Sequence, residues 1–219
     1  MTQVISPLSP PSYASLVSRL IAGSGLAFCL TAGPAVASTA DLSDTALTTE
    51  ARGFLENGQT YARDGQWRAA IALYKNALDI NPRLADAHFL LGVAYYQDDD
   101  PSSAVSALRR ASELNPRSAR TFYNLGVAYA GTGDKAKEMA AYRQALKLDP
   151  GHISAHYNLG TAYWAQGKDG LACAKLYRAG LLYKEAGHPN EARQMLNLIQ
   201  RIRPDSGYRQ QLAKAIRGQ

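Results

Sequence analysis

Three five-residue blocks, Leu91-Gly92-Val93-Ala94-Tyr95, Leu125-Gly126-Val127-Ala128-Tyr129 and Leu159-Gly160-Thr161-Ala162-Tyr163, recur at a step of 34 residues. This step constrains the fold more than any other property of the chain. A looser copy, Asn57-Gly58-Gln59-Thr60-Tyr61, extends the series toward the N-terminus, and Asn81-Pro82, Asn115-Pro116 and Asp149-Pro150 keep the same interval. Self-similarity at such a period marks units of one supersecondary motif that bury their apolar faces only by stacking. Within each block Gly and Tyr lie three apart and share a helix face. The glycine admits a close neighbouring helix, and the ring fills the space one turn along. Gly65, Gly133 and Gly167 break the first helix of a unit. Ala70, Ala104 and Ala172 supply small side chains where a second helix crosses, and Tyr74, Leu108, Tyr142 and Leu176 follow four residues later. Pro82, Pro116 and Pro150 end the second helix, because proline lacks a backbone donor and clashes with the preceding turn. The pattern predicts helices near 50–64, 67–80, 85–97, 101–114, 119–131, 134–148, 153–166 and 169–186, with Asp100 and Asp134 as start signals.

These residues resemble the tetratricopeptide repeat family. The resemblance implies four units at 51–84, 85–118, 119–152 and 153–186. It further implies an all-α, right-handed superhelical solenoid of helix-turn-helix repeats with a C-terminal capping helix. The repeat-packing residues are then Gly58, Tyr61, Ala70, Pro82, Gly92, Tyr95, Ala104, Pro116, Gly126, Tyr129, Pro150, Gly160, Tyr163 and Ala172. Departures are plain: Phe54, His88, Phe122 and His156 stand where the family favours Trp, Asn57 replaces a Leu, and Glu138 occupies a small-residue position. In the family, five positions of each first helix face a concave groove. Carried onto this sequence they include Arg52, Gln59, Phe89, Tyr96, Arg120, Tyr123, Asn124, Tyr157, Asn158 and Trp164, a set that would bind an extended peptide. Asn124 and Asn158 carry amide donors and an acceptor suited to a peptide backbone, and the aromatics offer area at low entropic cost. A competing reading makes these asparagines and rings mere packing residues, and the two readings stand level. Family members that grip a C-terminal carboxylate use Lys and Asn in the first unit, with Lys and Arg in the third. Leu55, Gln59, Arg120 and Asn124 stand there instead, so a chaperone-tail receptor is disfavoured.

The first 50 residues carry a single Lys or Arg, Arg19, and no acid before Asp41. An apolar stretch from Leu20 to Gly33 and the small-x-small end Ala35-Val36-Ala37 describe a secretory signal, with cleavage after Ala37. The apolar run of about 14 residues falls short of the roughly 20 that span a bilayer, which disfavours an uncleaved anchor. Export to a bacterial periplasm or an equivalent lumen is the expectation. A lipoprotein site at Cys29 is disfavoured by Phe28. Removal of Cys29 leaves Cys173, read as a packing residue rather than a redox group. Residues 38–48 read as a polar linker, with caps at Ser43 or Thr48.

Beyond Leu176 the markers Gly180, Tyr183, Gly187, Ala192, Leu196 and Pro204 restate the pattern after a shift of 20 residues. Helix 169–186 thus serves as the second helix of unit four and the first of an atypical fifth unit at 173–206. A partner at 189–203 and a terminal helix at 207–217 complete a basic cap over 187–219. Residues 173–219 hold nine Lys or Arg against three acids, within a net charge of +6 for all 219 residues. Such an end could meet an anionic membrane or an acidic partner, though a solvated cap is the plainer reading.

A search for chemistry finds little. His152 and His156 have a metal-like spacing without the accompanying acid, His88 and His156 fall two units apart, and Asp98-Asp99-Asp100 lacks the further ligands of a calcium loop. No phosphate-cradling loop or nucleophile elbow appears. The expectation is a non-catalytic scaffold for protein partners, needing no cofactor, metal or nucleic acid, with homo-oligomerisation left open. The alternative is an envelope assembly factor held at a membrane by its basic cap or an uncleaved N-terminus.

Overall fold

The computed structural model describes residues 39–218, so the signal expected at 1–37 lies outside it. The chain divides into two compact units, Met1–Pro82 and Arg83–Gln219. No helix among the described residues is long and apolar enough to cross a membrane.

In the first unit, α1 (Thr39–Arg63) pairs with α2 (Trp67–Ile80). The stretch expected as a polar linker is helical from Thr39, which follows from a run of Ala, Leu and short polar residues without Gly or Pro before Gly53. Ala70, Tyr74 and Ala77 are buried on α2. A Cβ at Gly58 would lie 2.5 Å from the Tyr74 ring, so only glycine lets the two helices meet there. Burial of that ring pushes the Tyr74 phenol up to about 12.

The second unit holds α3 (Ala85–Gln97), α4 (Pro101–Leu114), α5 (Ala119–Thr132), α6 (Lys135–Leu148), α7 (Ile153–Ala165), α8 (Asp169–Glu185), α9 (Pro189–Ile202) and α10 (Gly207–Arg217). Consecutive helices pack as hairpins, and α4 on α5 and α6 on α7 join one hairpin to the next. This is the helical solenoid the repeat implies. The ladder of close contacts repeats: a Cβ at Gly92 would lie 2.5 Å from Leu108, at Gly126 2.5 Å from Tyr142, and at Gly160 3.0 Å from Leu176.

One turn closes every hairpin in both units. The amide of Gln66, Asp100, Asp134, Lys168 and His188 donates to the carbonyl of Tyr61, Tyr95, Tyr129, Tyr163 and Tyr183 respectively, at 2.8–3.0 Å. The amide between donates one residue further along, as in Gly133 to Ala130 at 3.1 Å. This is the double bond of a Schellman end, whose penultimate residue is left-handed. Gly65, Gly133, Gly167 and Gly187 take that conformation, and Asp99, at φ 63°, takes it in the second hairpin.

The last of these turns belongs to the shifted register. Helix α8 packs on α7 and also on α9, and α10 closes over both α8 and α9. The close approach at Gly180 is made by Leu212 and Met195 rather than by Leu196, whose side chain is only half-buried. Leu212 is fully buried there beside Ile199 and Cys173, so α10 uses its apolar stripe as a lid on the end of the unit.

Tyr61 departs from the packing expected of it and is 42% exposed, whereas Tyr163 is 6% exposed. Tyr129 packs on Phe89 and Leu108, and Tyr163 on Met139 and Tyr142, each from the preceding hairpin. Among the described residues no hairpin precedes α1, so Tyr61 lacks that cover.

Candidate functional site

The face of interest is built by the first helices α3, α5 and α7. Their starts are fixed locally: Ser118 caps α5 by accepting from Thr121 N at 3.2 Å, and His152 caps α7 through Nδ1, which accepts from Ala155 N at 3.2 Å. An imidazole in that role is a neutral acceptor, and burial holds His152 below the usual histidine range. Its ring lies tilted against Tyr123 with centroids 4.6 Å apart. His156 is buried one turn on and donates from Nε2 to the Pro150 carbonyl at 3.0 Å, while burial lowers its pKa. Both histidines serve the turn, and among the described residues no three His, Cys, Asp or Glu side chains gather as metal ligands do.

The structure ties several predicted groove residues into one network. Asn158 Nδ2 donates to Tyr142 Oη at 3.3 Å and to Tyr123 Oη at 3.4 Å. The Tyr123 and Tyr142 rings lie 5.9 Å apart. Tyr96, Tyr123 and Trp164 flank the same buried cluster of Val127, Met139, Tyr142 and Leu159. Burial raises the pKa of Tyr96 and Tyr157, and it raises that of Tyr142 strongly. Tyr183 on α8 is also raised, by burial first, then by Glu191 and by the neighbouring phenols of Tyr123 and Tyr157. These hydroxyls therefore stay neutral and able to donate or accept throughout the physiological range. The result is a half-buried, largely uncharged face lined by phenols.

Other predicted residues take different roles. Phe89 is 6% exposed and lies beneath Arg120, whose guanidinium sits 4.1 Å from the ring centroid. It underpins the face and does not line it. Arg120 itself is exposed, and partial burial of its guanidinium against Phe89 lowers its pKa while Asp86 opposes the shift. It remains a cation. Asn124 Nδ2 donates to the Arg120 carbonyl at 2.9 Å, leaving one amide hydrogen for another partner. Tyr157 is half-buried against the C-terminal cluster. Arg52, exposed, and Gln59, half-buried, belong to α1 of the other unit. Sequence reasoning missed Tyr142 as a member of the network, because it occupies a core position of the repeat.

Tetratricopeptide-repeat models match residues 58–99, 95–153, 140–187 and 176–206, the last covering the atypical fifth hairpin. No curated protein matches the chain. Solved structures share the fold. A crystal structure of MamA protein is 23% identical, covering 72% of this chain and 92% of that one at a TM-score of 0.58. MamA 41-end from Desulfovibrio magneticus RS-1 is 21% identical, with 67% and 82% covered at 0.60. The first TPR of Spaghetti (RPAP3), bound to the HSP90 peptide SRMEEVD, is 22% identical, with 55% and 95% covered at 0.54. Repeat matches running from residue 58 to residue 206, on stacked helical hairpins that share one turn, make this chain a member of the tetratricopeptide repeat family.

Proposed function

We propose that the chain is an exported, non-catalytic adaptor that holds an extended segment of a partner protein against the first-helix face of its second unit. The observation that carries this is the phenol network on α5 to α7, gathered around Asn158. It offers neutral donors and acceptors beside aromatic area, the chemistry that grips a peptide backbone and its apolar side chains. A related fold, the first TPR of Spaghetti, is bound to a peptide of HSP90, which supports peptide capture as a use of stacked hairpins. An acidic C-terminal tail is not the segment favoured here, because the described first helices of this unit, α3, α5 and α7, carry one Lys or Arg, Arg120, which is already stacked on Phe89. Export rests on the sequence of residues 1–37, and N-terminal sequencing of the mature chain should begin at Ser38. The rival reading, an assembly factor held at a membrane, draws on the charge surplus of the C-terminal end.

Binding of one flexible segment is expected in the micromolar range, about −8 kcal/mol. A photo-cross-linker placed at Trp164 in cells should capture a discrete polypeptide. The Asn124→Ala/Tyr157→Ala chain, matched to wild type by circular dichroism, should lose about tenfold or more of that capture. Unchanged capture by the folded double variant would remove this face from consideration.

A further inference from the structure

We propose that the C-terminal end of the second unit carries another docking surface, shaped for an acidic polypeptide segment with an apolar anchor. An open cleft of about 760 Å³ lies between the start of α8, the end of α9 and the start of α10, lined by Lys168, Asp169, Leu171, Ala174, Arg203 and Tyr208 among others. Leu171 is 50% exposed and Tyr208 38%, two of the three large apolar side chains left exposed among the described residues. Tyr208 rests its ring against Tyr177 with centroids 5.4 Å apart and leaves the rest of its surface open. This apolar pair sits in a positive field. None of the nine Lys or Arg between residues 173 and 217 forms a salt bridge among the described residues. Two of the three acids of that stretch, Glu185 and Glu191, lie at the far end of the α8–α9 hairpin, and the cleft itself is lined by Lys168 and Arg203 against the single acid Asp169. The start of α8 adds to the sign. Hairpins two and three place Asp100 and Asp134 over the first amides of their second helix, but the fourth has Lys168 there and no side-chain cap. That first turn already holds Asp169, and with no side chain capping its amides the positive helix end still favours a carboxylate.

A polypeptide fits this surface better than a bilayer. Seating a helix in a bilayer interface needs its apolar face free, and α10 has turned that face inward, with Leu212 fully buried. What remains outside is a cleft with two anchors and scattered cations, the form of a pocket for one apolar side chain flanked by acids.

The test uses the full mature chain and a fluorescent peptide of glutamates around a central leucine, read by anisotropy. Binding is expected, weakening about tenfold for Lys168→Glu/Arg203→Glu and several-fold for Leu171→Ser, and falling as salt rises, as surface charge pairs do. The Asn124→Ala/Tyr157→Ala chain should bind this peptide as wild type does, which separates the surface from the phenol face. Lys168→Glu alone, at an exposed position, stands in if the double reversal disturbs folding. Equal affinity in the charge-reversed chain, equal binding of a lysine-for-glutamate peptide, or flotation with phosphatidylserine vesicles without peptide binding would each overturn the proposal.

Discussion

The chain's second and third hairpins, both in unit two, differ by a few residues on one skeleton. Both close with the same turn, both bring a glycine against the crossing helix, and both cap the second helix with aspartate at 3.0–3.1 Å. Under Gly92 the second hairpin places Leu108, which stays within the core. Under Gly126 the third places Tyr142, whose hydroxyl passes through the core to reach Asn158 on the next first helix. A filler position has thus become the root of the surface network. The third hairpin also carries Glu138 where the others carry a buried alanine, and the second carries Asp99 where the third has Gly133. Shared residues fix the fold, and the exchanged ones give each hairpin its own chemistry.

The largest effect is expected at the shared glycines. Gly92→Val and Gly126→Val should each destabilise unit two by about 1–3 kcal/mol, since interiors resist added volume. The loss should be greater at Gly92. There the new Cβ meets Leu108 Cγ, close to its backbone, and the Ala104 carbonyl at 3.2 Å, neither of which can swing aside. At Gly126 it meets the outer part of the Tyr142 ring. Chemical denaturation of both variants checks the order, and a larger loss at Gly126 would mean that the Asn158 bond pins the ring.

Glu138 gives the next effect, of opposite sign. It is 6% exposed, and its Oε2 has no hydrogen bond even though Lys135 Nζ lies 3.3 Å away, a distance that pairs the charges without the alignment of a donor. Lys135 is 62% exposed, so water screens much of that attraction. Replacing a poorly satisfied buried carboxylate by the alanine found at positions 70, 104 and 172 should stabilise the unit by about 1 kcal/mol. A rise in the denaturation midpoint of Glu138→Ala is the expected result. A fall would show that the side chain's methylenes matter more to packing than its oxygen costs.

How far these contrasts were legible in the sequence depends on the distance over which they act. The glycine, alanine and proline markers are local and periodic, so the hairpins and their boundaries could be placed within a residue or two. The helical stretch before Glu50 carries no repeat marker, which is why residues 39–48 read as linker. Phe89 matched a groove position, but only the structure shows Arg120 lying over it. The bonds from Asn158 to Tyr142 and Tyr123 cross between helices. No spacing rule distinguishes a phenol that stays in the core from one that reaches through it. The switch from Leu196 to Met195 beneath Gly180 has the same origin, since a shifted repeat keeps its glycine and turn while the facing helix rotates to admit α10.

Asp99 separates the two hairpins most finely. Its φ of 63° is the left-handed conformation that a β-carbon disfavours, and four other hairpin turns fill that place with glycine. Aspartate tolerates the region better than most residues, and glycine costs extra entropy in the unfolded chain, so the two effects partly offset. Asp99→Gly should therefore raise stability by only a few tenths to about 1 kcal/mol, and Gly133→Asp should lower it by a similar amount. The exchange of both residues in one chain should come out near neutral. A second readout tests whether the carboxylate has work of its own. Asp99 helps to raise the Tyr96 phenol, behind burial and Tyr123, so its removal should lower the pH at which Tyr96 forms phenolate, as followed by ultraviolet absorbance. If Asp99→Gly instead destabilises the chain, the aspartate holds the turn through a contact worth more than its strain. The left-handed position of the second hairpin would then be held by side-chain chemistry and that of the third by the backbone freedom of Gly133.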